Sequence, residues 1–190
     1  MDALAVVRKR FTVIDYEQMA ATGIISDGDR VELIEGEIVE MAALGPQHAA
    51  CVDRLTQRLP FLVQGRAIVR VQNPIRLSEH SQPQPDVTLL QPRDDFYAGG
   101  HPEPEDVLLL IEVSESSLAY DRDVKLPLYA RAGIAEVWLV ALLPQVVEVY
   151  RAPSEYGFGE KRTLRRGDTL SPLHLPDAVL RVDEMLGERR

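Results

Sequence analysis

The chain has one cysteine, one tryptophan and three lysines in 190 residues. A single cysteine excludes an internal disulfide and any zinc site built from clustered thiolates. Cys51 has no neighbour in sequence that would activate a thiolate, so it reads as a small buried side chain. No apolar run approaches the roughly 18 residues that span a bilayer. Met1-Asp2-Ala3-Leu4 does not open a basic-then-apolar leader, so a cytoplasmic location away from membranes is expected. The phosphate-cradling Gly-x-x-x-x-Gly-Lys, the Gly-x-Ser-x-Gly elbow and His-Glu-x-x-His are all missing. The four histidines, His48, His80, His101 and His174, are too dispersed for a zinc hydrolase built on local spacing.

What is present is an ordinary folding composition. Hydrophobic residues make up 45% of the chain, enough for a core in a single domain over residues 12–190, behind a loose arm over 1–11. The net charge of −9 counts against a nucleic-acid partner, whose affinity comes from neutralising phosphates. Distribution weighs the other way. Arginine outnumbers lysine 18 to 3, with Arg54, Arg58, Arg66, Arg70 and Arg76 in one region and Arg162, Arg165 and Arg166 in another. Arginine is the better phosphate fork, although scattered surface arginines are also usual.

Periodicity and turn residues predict the elements. Thr12 caps a helix running to Thr22, with Ile14, Met19 and Ala20 as its apolar stripe, and Asp27-Gly28-Asp29 is a turn. Val31 to Met41 is a hairpin around Glu35-Gly36. A helix starts at Pro46 and presents Val52, Leu55, Leu59 and Leu62, with Pro60 expected to kink or end it. Strands follow at 67–72 and 75–77, then 87–90 and 107–111, the last two joined by a long polar connection. A helix over 121–132 ends at Gly133, and strands at 135–142 and 146–150 precede a turn at Gly157 and Gly159 and a short final helix near 182–186.

Chemistry concentrates at two acids. Asp86 opens the apolar run Val87–Leu90, and Glu112, 26 positions later, closes the run Val107–Ile111. If those runs pair antiparallel, both carboxylates meet at one rim of a sheet. Like charges so close raise one pKa unless a cation lies between them. Mg²⁺ suits such a place, because it takes one or two carboxylates plus waters and a phosphate oxygen. Asp86 alone also reads as a common strand-entry residue after proline, whereas an acid ending a doubly buried strand requires a partner. Alternation puts Ser114 on the Glu112 face, where serine cannot supply the cation that a phosphodiester-cleaving site uses; Lys125 can, unless it lies on a solvated helix face beside Asp121. Glu32 is either a site acid or the wet side of its hairpin. His48, in the opening turn of its helix, is either a ligand or a loop hydrogen-bonder.

Taken together, Arg30 to Glu37, His48, Pro85-Asp86-Val87, Glu112-Val113-Ser114, Asp121 to Lys125 and Tyr129 to Val140 resemble the bacterial Uma-type endonuclease family of the PD-(D/E)XK superfamily. The resemblance implies an α/β (α+β) restriction-endonuclease-like core, a mixed central β-sheet flanked by helices. It implies Mg²⁺, with Mn²⁺ as substitute, on Asp86 and Glu112, with Glu32 as an additional acid. It implies a DNA substrate and allows a homodimer. The superfamily lysine two residues after the second acid is Ser114 here, and Lys125 matches the family's helix lysine. His48 matches a family histidine, and Pro127 in the lysine's helix is a departure. The function expected is a metal-dependent DNA endonuclease; the alternative is an inactive nuclease-fold binding module or a structural subunit of a defence or mobile-element system. Net acidity and Ser114 favour that alternative.

Overall fold

The computed structural model describes residues 8–26, 28–41 and 43–187. Its centre is a six-stranded mixed sheet in the order β3-β4-β5-β6-β7-β8, comprising β3 (Ile68–Val71), β4 (Val87–Leu90), β5 (Val107–Ser114), β6 (Glu136–Ala141), β7 (Val146–Ser154) and β8 (Gly157–Leu164). Four of the five pairings are antiparallel and β5–β6 is parallel. Parallel neighbours need a crossover. Here it is helical: α3 (Leu118–Tyr120), a π-helical turn (Asp121–Lys125) and α4 (Leu126–Arg131).

Both faces of the sheet are covered, so β5 is apolar at nearly every position. Leu109, Ile111 and Val113 point to one side with Trp138 and Val140, against α2 (Pro46–Val63) and α5 (Val182–Leu186). Leu110 points to the other, with Val137 and Leu139, against Leu126 and Tyr129 of α4. Glu112 and Ser114 continue the Leu110 alternation, which carries them under the crossover helices.

The N-terminal segment forms α1 (Val13–Ala21) and a separate hairpin of β1 (Val31–Ile34) and β2 (Glu37–Glu40). Thr12 caps α1 in a capping box with Asp15. Glu35 and Gly36 both have positive φ, +50° and +81°, the two-residue turn that fits strand twist. The hairpin is pinned to the chain leading into β4: Gln82 N–H donates to Leu33 O (2.8 Å) and Gly36 N–H to His80 O (2.7 Å). A small pair, β9 (Thr169–Leu170) and β10 (Leu180–Arg181), leads into α5.

Several expectations need correction. Of the stripe on α1, Ile14 is 59% exposed and Ala20 is exposed, Met19 is half-buried, and Val13 is the buried residue. Pro60 does not end α2 early, because it lies in the last turn, and Gln64 in the left-handed conformation closes the helix. Ile75 and Leu77 are buried but form no named strand. The helix expected from 121 begins at Leu118, and β7 runs past the strand expected over 146–150 into a long hairpin with β8, which takes in Gly157 and Gly159 of the expected turn. The arm over 1–7 and Asp27 of the expected turn lie outside the described residues.

Candidate active site

The antiparallel register sets Val87 opposite Ile111, so Asp86 and Glu112 flank the same rung from adjacent strands. Asp86 N–H lies 3.4 Å from Glu112 Oε2. Asp86 Oδ2 accepts from Val113 N–H (2.9 Å), and its Oδ1 accepts from Gln72 Nε2 (3.2 Å). His48 Nε2, from the first turn of α2, stands 3.0 Å from Asp86 Oδ2. With Nε2–H donating there, Nδ1 is left as an acceptor, and it is buried without a partner among the described residues.

Lys125 reaches the same place from the crossover. Its Nζ donates to Glu112 Oε1 (3.2 Å) and to Glu32 Oε2 (3.1 Å), and its side chain is only 7% exposed. Pro127 does not obstruct this reach. It sits at the start of α4, and the π-type bond from Leu126 N–H to Asp121 O already spans the turn before it. Tyr129, four residues after Lys125 on the same helix face, donates Oη–H to Glu112 Oε1 (2.5 Å). Glu32 arrives from β1 because the docked hairpin brings Gln84 N–H within 3.1 Å of its Oε2. Gln84 Nε2 in turn donates to Gln72 O, tying the chain before Asp86 to the end of β3.

Ser114 stands apart from this set. Its hydroxyl donates to Asp121 Oδ2 (2.5 Å), as does Ser117 (2.7 Å), which fixes the π-helical turn and leaves the Glu112–Lys125 contact to other residues.

Electrostatics follow from burial. Burial pushes the Glu112 carboxyl up to about 8, against the opposing pull of Lys125, while the Asp86 carboxylate pushes the same way as burial. Burial also works against a charged Lys125, but the Glu112 and Glu32 carboxylates overcome it and hold the ammonium above the ordinary lysine value. Tyr129 is driven well above a free phenol by burial and by Glu112, so it remains a donor. Glu112 and Glu32 share the one ammonium of Lys125, and Asp86 lies against Glu112, so three carboxyl groups gather in one buried place. They line a cavity of about 280 Å³ that His48, Gln84 and Tyr120 also border.

The sequence pattern pointed to Asp86, Glu112, Lys125, Glu32 and His48, and the fold gathers all five. Tyr129, Gln72, Gln84 and Tyr120 went unmarked. For Tyr129 the four-residue spacing from Lys125 was a usable signal; the glutamines carry none.

A mixed sheet with acids at the ends of adjacent strands, and a helical crossover returning a lysine to them, defines a nuclease-like fold. The chain superposes on the crystal structure of "a putative nuclease belonging to DUF820" from Anabaena variabilis with a TM-score of 0.69, covering 93% of this chain and 97% of that one at 18% identity. Residues 13–183 match the family Uma2, described as "Putative restriction endonuclease", and the chain belongs to that family. No curated protein matches it. No helix among the described residues is long and apolar enough to cross a membrane.

Proposed function

We propose that this protein is a divalent-metal-dependent endonuclease that hydrolyses phosphodiester bonds in DNA. The observation that carries the reading is the buried Glu112–Lys125–Glu32 arrangement beside Asp86, three carboxyl groups gathered around one ammonium.

The donor set fits Mg²⁺ or Mn²⁺. Among the described residues no three His, Cys, Asp or Glu side chains converge to enclose an ion. That excludes an all-protein cage among these residues, but Mg²⁺ asks only for one or two carboxylates plus waters and phosphate oxygens. Asp86 and Glu112 would hold it, with Glu32 assisting through Lys125. When bound, the ion supplies Lewis acidity toward a phosphate oxygen and lowers the pKa of water.

The chain's own groups do the rest. Lys125 stays protonated, so it acts as a fixed positive charge toward the phosphate or the attacking water and not as a base. Tyr129 and Glu32 hold that lysine and Glu112 in place. His48 and the Val113 amide orient the Asp86 carboxylate through Oδ2, leaving Oδ1 the less occupied oxygen. In the reaction, the oxygen of a water bonds to phosphorus, the bond from phosphorus to one sugar oxygen breaks, one water proton passes by way of solvent to that leaving oxygen, and the other is released as the new phosphomonoester ionises.

The test is nicking of supercoiled plasmid with Mg²⁺ or Mn²⁺. Metal-dependent nicking lost in both Asp86→Ala and Lys125→Ala is the expected result. Activity surviving either change would defeat the assignment. No Mn²⁺ binding at millimolar metal, with DNA binding intact, would replace this reading with a binding module.

A further inference from the structure

Tyr120 closes α3 and immediately precedes the π-helical turn that delivers Lys125. Its ring is half-buried, but its hydroxyl oxygen is fully shielded and has no hydrogen-bond partner among the described residues. It borders the same cavity as Glu32, Asp86, Glu112 and Lys125. Buried polar atoms in native proteins are almost always paired, and an exception calls for a missing partner.

The missing partner is an acceptor. Burial, reinforced by the Glu32 carboxylate, pushes the Tyr120 phenol up to about 12, so it keeps its proton. The carboxylates already have donors: Tyr129 and Lys125 on Glu112, Gln84 N–H and Lys125 on Glu32, Ser114 and Ser117 on Asp121. The free O–H therefore suits an acceptor brought from outside. Beside a buried ammonium, the ligand chemistry that fits is an oxyanion. His48 Nδ1, the other unpaired atom on this cavity, is an acceptor and suits a proton donor such as water instead.

Resting on the nuclease reading above, we propose that Tyr120 is a further catalytic residue, whose Oη–H, shielded in the DNA-free chain, turns on its half-buried ring into the cavity and donates to a non-bridging oxygen of the scissile phosphodiester. The contact strengthens as negative charge builds on the phosphoryl oxygens, so its loss falls on kcat more than on KM.

The test is Tyr120→Phe in the full chain, which removes one oxygen and keeps the ring. With Mn²⁺, kcat for plasmid nicking is expected to fall about tenfold to a hundredfold. Mn²⁺ affinity by calorimetry is expected to stay within about twofold, and the melting temperature to hold or rise, since an unpaired buried hydroxyl is removed. A second arm needs no cleavage: a short fluorescein-labelled DNA duplex, titrated in Ca²⁺, is expected to bind Tyr120→Phe about fivefold more weakly. Wild type that nicks DNA, with Tyr120→Phe nicking and binding equally well, overturns this proposal alone. Weakened Mn²⁺ binding or a lowered melting temperature also overturns it, by making the hydroxyl a metal-shell or packing group. Wild type that binds duplex without cutting removes the endonuclease reading, and the duplex affinity of Tyr120→Phe then decides. Wild type that neither cuts nor binds overturns both.

Discussion

Replacing Lys125 with methionine keeps most of the side chain's volume and deletes its charge. In the native fold the ammonium stands 3.1 Å from Glu32 and 3.2 Å from Glu112, and the two carboxylate side chains are 3% and 6% exposed. Removing one partner of a buried ion pair costs about 3–5 kcal/mol, because the remaining charge is left uncompensated. At roughly 2–4 °C per kcal/mol for a chain of this size, Lys125→Met should melt about 6–20 °C lower at neutral pH. The pH dependence has a definite sign. Glu112 titrates near 8 in the folded chain against an ordinary value of 4.5. Between those values the folded chain holds a proton that the unfolded chain has released. The stability this group contributes is therefore complete below about 4.5 and is lost as pH rises through about 8. Without Lys125 the carboxyl shifts higher still, so the deficit of Lys125→Met should be level from about pH 4.5 to about 8 and should grow as pH rises above about 8, where wild type releases the Glu112 proton and the variant keeps it. Differential scanning calorimetry across that range reads this directly. A variant that melts within about 2 °C of wild type at neutral pH, or whose deficit is flat with pH, would refute the placement of this lysine as the counter-charge.

Metal binding should carry the same signature: Mn²⁺ requires ionised Glu112, so its affinity should rise about tenfold per pH unit below about 8 and then level, with close to one proton released per ion in buffers of differing ionisation enthalpy. Asp86→Asn should abolish Mn²⁺ binding by calorimetry while keeping an acceptor for Val113 N–H, leaving the melting temperature near that of wild type. Tyr129→Phe deletes a donor to Glu112 and should cost about 1–3 kcal/mol in urea unfolding, with the onset of Mn²⁺ binding moved to higher pH. Ile111→Ala opens a cavity on the α2 side of β5 and should cost about 2–5 kcal/mol while leaving Mn²⁺ affinity unchanged.

The pairing of β4 with β5 was readable because each strand is an apolar run with an acid at one end, and only the antiparallel register brings those ends together. The inward aim of Lys125 was not readable, since it depends on a π-helical turn whose wider bonding no residue pattern announces. The extension of β7 and β8 escaped for a different reason: Arg151 to Ser154 and Gly159 to Thr163 form a largely exposed ribbon, where alternation of apolar and polar residues is not required. Ile14 shows the converse error, an apolar residue at helical spacing that the fold leaves in water. Gln84 meets Glu32 through a backbone N–H, and the Gln72 amide meets Asp86 only because the chain path brings it there, neither of which residue type encodes.

The widened turn over Asp121–Lys125 also bears on how this chain tolerates change in length. A π turn carries one residue more than an α turn, so deleting one there, Asp123 for example, lets its bonding close to the ordinary α pattern with the flanking helix kept in phase. Asp121, bound to Ser114 and Ser117, and Lys125, bound to Glu112 and Glu32, would still share the inward side. A single codon lost from this stretch would thus be absorbed by the backbone, whereas one lost from β5 ahead of Glu112 would turn that carboxylate to the opposite face of the sheet.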